Sequence, residues 1–143
     1  MRKNIKKLLV LSALLILAAN PTLAAGLRID EFEPESGCGF FLRKPQQKGV
    51  VFDTSYSPEY TKTKMKINGK LIYFSVYFKD VDNKKTKNIY NYISHDGSIK
   101  VTIKIIKLGK LIANEWQEID KAVLTVMKGK QKVQINVKGG NGC

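Results

Sequence analysis

The sequence predicts an all-β domain, an antiparallel sandwich or barrel of about seven to nine strands with one short helix. Apolar and polar residues alternate with a period of two through most of the chain after residue 60, as in strands with one buried face. Turn signals separate the alternating runs at Asn68-Gly69, Asp96-Gly97 and Lys128-Gly129-Lys130. Length sets the scale: roughly 118 residues follow an N-terminal leader, enough for one domain with one core.

The leader spans residues 1–25. Arg2, Lys3, Lys6 and Lys7 are basic, and Leu8 to Ala19 are apolar apart from Ser12. Asn20-Pro21 and the small residues Ala24 and Ala25 complete the pattern of a signal peptide cleaved at Ala25 or Gly26. Its apolar core is short of the ~20 residues of a membrane span, so the mature chain is expected to carry no transmembrane segment. Residues 26–143 are then a single exported β-domain, periplasmic or secreted, that opens with a short acidic arm: Asp30, Glu31, Glu33 and Glu35.

Within the domain, Gly39–Arg43 and Val50–Thr54 read as short strands flanking Pro45. In Tyr60–Ile67, Lys62, Lys64 and Lys66 alternate with Thr61, Thr63, Met65 and Ile67. Asn68-Gly69 supplies the two positive-φ residues of a type I′ hairpin turn. The return strand, Lys70–Lys79, sets Ile72, Phe74, Val76 and Phe78 against Leu71, Tyr73, Ser75 and Tyr77. Asn88–Ile93 is an aromatic strand, and Ser98–Lys107 follows it after the His95-Asp96-Gly97 turn, with Ile99, Val101, Ile103 and Ile105 facing in. Ile112, Trp116 and Ile119 have helical spacing, which predicts a helical turn over Leu111–Ile119 laying Trp116 on the core. Ala122–Met127 and Gln131–Lys138 form the last hairpin.

Cys38 and Cys143 are the only cysteines. Export and an even count predict a Cys38–Cys143 disulfide, and both sit in glycine-rich frames that accommodate one. The other two arrangements are a free terminal thiol and a bond between chains. Two cysteines and one histidine fall short of a structural zinc shell, and neither a metal nor a cofactor is expected.

Charge is the strongest compositional signal. The full chain carries +13 and the leader holds four of those charges, leaving +9. Two accounts compete. One is an anionic partner; the other is compositional, because lysine outnumbers arginine 22 to 3 as an AT-rich genome would produce. On the first account, Lys62, Lys64, Lys66, Lys100 and Lys104 share sheet faces with Tyr73 and Tyr77. Ammonium groups there would neutralise a polyanion while rings stack on sugars or bases. The acidic arm would lie across that face.

No catalytic constellation emerges. His95 is the single histidine, and adjacent Ser94, Asp96 and Ser98 belong to turn chemistry, since a triad needs its acid behind the ring and its serine in front. Glu115, Glu118 and Asp120 are neighbours on one element rather than two carboxylates across a cleft. Asp80-Val81-Asp82-Asn83 opens like a calcium loop but lacks the sixth-position glycine and twelfth-position glutamate. The sequence therefore predicts a non-catalytic binding or accessory protein of the bacterial envelope, whose partner is an anionic envelope polymer or lipid, or another envelope protein. Two alternatives stand beside it: a small cell-wall or polysaccharide hydrolase, and a structural subunit or secretion accessory.

Overall fold

The computed structural model describes residues 26–35, 37–56, 61–76 and 88–143; the expected leader, Tyr77 and the Asp80-Val81-Asp82-Asn83 stretch lie outside them. The described residues form β1 (Ile29–Asp30), β2 (Gly39–Arg43), β3 (Phe52–Tyr56), β4 (Thr61–Ile67), β5 (Lys70–Val76), β6 (Ile89–Ser94), β7 (Ile99–Ile112), β8 (Trp116–Lys128) and β9 (Gln131–Gly142). Strands β2 to β9 meander, each antiparallel to the next, and β9 pairs back onto β2. The result is a closed eight-stranded antiparallel barrel with β1 as an extra strand beside β4.

Alternation decides what fills it. Phe40, Leu42, Phe52, Met65, Phe74, Val101, Ile103, Leu124, Val126 and Val137 are buried together inside. An eight-stranded barrel is just wide enough for side chains to fill it or for one small ligand, and here these side chains occupy it. Each fully buried aliphatic or aromatic residue contributes about 1.5–3 kcal/mol. The turns follow their sequences: Asn68 and Gly69 have φ of 50° and 78°, the two left-handed residues a type I′ turn requires.

The expected helical turn at Leu111–Ile119 is absent. Leu111 and Ile112 finish β7, Ala113 and Asn114 turn the chain with φ of 51° and 58°, and Trp116 opens β8 opposite Ile112. The physical reason is irregular register. Shifts between Ile105 and Leu111 interrupt the period of two, so pairing across a bulged hairpin leaves apolar spacings that mimic a helix. Trp116 consequently points outward rather than onto the core.

Cys38 and Cys143 are disulfide-bonded, with Cα atoms 4.3 Å apart. They flank the closing seam, where Gly39 pairs with Gly142 and Phe41 with Gly140. The staple therefore holds the first barrel strand against the last.

The N-terminal arm is built into the fold. Leu27 and Ile29 are buried in the core, and Ile29 pairs with Ile67. The Arg28 amide donates to Asn68 Oδ1 at 2.8 Å, and the Gly69 amide donates to Asp30 Oδ2 at 2.7 Å, which fastens β1 to the β4–β5 turn. The chain then bridges through Phe32 to Val50, just before β3, and reaches β3 where the Glu35 amide donates to Asp53 Oδ2.

Candidate functional site

The lysine–tyrosine face divides into two parts. Lys62, Lys64 and Lys66 do share the outward face of β4, and Tyr73 stands directly opposite Lys64 on β5. That stretch, however, lies beneath the arm. Lys64 is 3% exposed, and its Nζ lies 2.8 Å from Glu35 Oε1 and 3.8 Å from Asp53 Oδ2. Asp53 is fully buried and also accepts from Ser55 Oγ at 2.6 Å. The ammonium sits 5.8 Å from the centroid of the Phe32 ring. Hydrogen bonding and charge from Lys64, with a smaller contribution from Lys62, hold the Glu35 carboxyl below its ordinary value. Asp30 is likewise lowered, first by its bond from Arg28 and in small part by Lys66. The arm's carboxylates thus already neutralise this part of the face. Lys100 and Lys104 are exposed on β7, and Met127 separates Lys100 from Lys132 along one cross-strand row.

The His95 turn is structural. Asp96 Oδ1 accepts from Ser94 Oγ, the Ser98 amide and Ser98 Oγ at 2.7, 2.9 and 2.7 Å. These bonds pull the Asp96 carboxyl down to about 2, and the His95 ring stacks on Tyr73 at 6.4 Å. Among the described residues no group of three His, Cys, Asp or Glu side chains is placed to hold a metal.

A second feature was not assembled from the sequence. Across β2, β9 and β8 the outer face carries a groove of about 640 Å³, within the ~300–1,000 Å³ typical of ligand sites. Its floor is low because β9 presents Gly140 on the outer face where its cross-strand partners Phe41 and Glu118 carry side chains. Gly140 is required: a Cβ there would collide with the Trp116 indole, which lies over it. Phe41 of β2 stacks on Trp116 with ring centroids 6.1 Å apart and planes 21° from parallel. Both rings are half-buried.

One step along the same face, Arg43 is the direct cross-strand partner of Lys138. Two like charges opposite each other destabilise a sheet. Among the described residues neither has an ion pair. Glu118 and Asp120 form the β8 wall of the groove. Asp120 lies 3.8 Å from Lys107 Nζ, and Glu118 Oε2 accepts from the Lys110 amide at 3.4 Å. Glu115 is in the hairpin turn and does not line the groove. The outward position of Lys138 was legible from alternation in β9. Its pairing with Arg43 depends on barrel closure, for which the chain carries no local signal.

Comparison with protein-family models, curated proteins and solved structures yields no match to this chain.

Proposed function

We propose that this is an exported, non-catalytic binding protein that holds an anionic group in the groove across β2, β9 and β8. The observation that carries this reading is the Arg43–Lys138 pair: two cationic residues in direct cross-strand register on one sheet face, beside the half-buried Phe41 and Trp116 rings, with no carboxylate in ion-pair contact among the described residues. An anion between them removes their repulsion and forms charge-assisted hydrogen bonds, which contribute about 1.5–3 kcal/mol each. Arg43 also resists the compositional account. In a chain this rich in lysine it is one of three arginines, and its planar fork suits bidentate binding of carboxylate or phosphate. The disulfide supports an oxidising compartment, in keeping with export.

The test is titration with polyphosphate and dextran sulfate at two salt concentrations. Affinity should fall with salt, with a log–log slope of roughly −1 to −2 for two neutralised charges. The Arg43→Gln/Lys138→Gln double variant should lose at least about tenfold in affinity and most of that slope. Binding that ignores salt, or that the double variant leaves unchanged, refutes the reading.

A further inference from the structure

We infer that the ligand of this groove is an acidic saccharide, a chain of pyranose rings bearing isolated carboxylates, with one ring against Phe41–Trp116 and a carboxylate at Arg43–Lys138. The inference rests on the anion-binding reading above and adds the chemistry of the rest of the ligand.

Three features converge. The Phe41 and Trp116 rings stack within 21° of parallel and are half-buried, and their remaining open surface is an apolar patch suited to the flat C–H face of a pyranose. The cation pair lies two residues further along β2 from Phe41, about 7 Å away at strand spacing. That is too far for a ring's own carboxylate, which is one bond off the ring, and suits the carboxylate of the neighbouring ring. The opposite wall is acidic. Glu118 and Asp120 are acceptors when ionised, so they favour ligand groups that donate, such as ring hydroxyls. Lys48 also lines the groove and Asp120 is paired with Lys107, so it is chiefly Glu118 that disfavours a ligand whose anionic charges are closely spaced. Polyphosphate and the nucleic-acid backbone bring such charges without matching donors; a uronic-acid chain brings one charge per ring among several hydroxyls. A flat bilayer surface cannot enter a recess between β2 and β8.

Trp116 is the only tryptophan in the chain, so intrinsic fluorescence reports groove occupancy. The mature, disulfide-intact protein is titrated with hexagalacturonate, neutral maltohexaose, polyphosphate, and vesicles of phosphatidylglycerol in phosphatidylcholine. Hexagalacturonate should change Trp116 emission and bind at least tenfold more tightly than the other three probes. Phe41→Leu, which keeps the reporter, should weaken hexagalacturonate several-fold and leave residual polyphosphate binding unchanged. By calorimetry, Trp116→Phe should retain most of the affinity and Trp116→Leu should lose it, with circular dichroism confirming that each variant is folded. If polyphosphate or vesicles bind more tightly through Arg43 and Lys138, or if the ring variants leave hexagalacturonate unaffected, the saccharide assignment is overturned and the anion site stands. If no probe shows binding that depends on Arg43 and Lys138, both fall.

Discussion

Replacing Cys38 and Cys143 together by serine should destabilise the barrel more than any single surface change. The bond joins residues 105 apart in sequence, so it restrains nearly the whole domain in the unfolded ensemble. Loop-closure entropy for about 100 residues corresponds to about 4.7 kcal/mol at 25 °C, with measured bridges nearer 2–4. The native side adds little to offset this, because β2 and β9 already pair from Gly39–Gly142 to Arg43–Lys138 without the bond. The loss should therefore appear chiefly as a fall in denaturant midpoint, with the reduced protein still reaching a native-like sheet. Urea unfolding of oxidised wild type and the double serine variant, followed by Trp116 fluorescence, gives both midpoints and slopes. A difference below about 1 kcal/mol would show that the unfolded chain is already held together by other means, and the entropic argument would fail.

Three further outcomes follow from particular contacts. Lys64→Ala should cost about 3–5 kcal/mol in denaturant unfolding because it leaves the buried Asp53 carboxylate without its cation, whereas Lys64→Met/Asp53→Asn should recover most of that loss; equal losses in both variants would contradict this. Asp96, held at about 2, contributes stability that is complete above the ordinary aspartate range near 3.8 and is lost as pH falls through about 2. A carboxyl NMR titration should place its midpoint near 2, and Asp96→Asn should flatten the decline in Tm between about pH 4 and pH 2; a midpoint near 4 removes the premise. Gly140→Ala should push the indole off its seat, shifting Trp116 emission to the red and costing about 1–3 kcal/mol, and an unchanged spectrum would show that the ring relocates freely.

Local signals in the chain were reliable where one strand and its turn decide the outcome. Asn68-Gly69 turns as expected, Gly97 has φ of 76°, and Ile99, Val101 and Ile103 are buried while Lys100 and Lys104 are exposed. Gly39–Arg43 is β2 residue for residue. The misses have long-range causes. Bulges in β7 hid the strand beyond Lys107. The alternation ends the last strand at Lys138, yet Gly139, Gly140 and Gly142 continue β9 because β2 supplies their partners. The lysine alternation at 62, 64 and 66 correctly gave a shared outward face. The charge of the acidic arm predicts that it crosses this face, as it does, but period alone could not show that Leu27 and Ile29 would anchor it or that Lys64 would be buried. The groove draws residues from the beginning and end of the domain, so it became visible only once the barrel was closed.

The closing seam also governs how the protein is made. A chain emerging from its N-terminus completes β2 long before β9 exists, and until then the sheet is open with a bare edge at each side. Unsatisfied strand edges invite pairing with other chains, and a closure spanning this much sequence is intrinsically slow. Cys38 spends the same interval without Cys143. Molecules at that stage are exposed to mixed disulfides and sheet-to-sheet aggregation, so high-level production should be limited by the waiting time for the last strand. A lower expression level, which keeps fewer unclosed chains together at once, or a thiol-disulfide isomerase should raise the yield of soluble protein without altering the stability of the finished barrel.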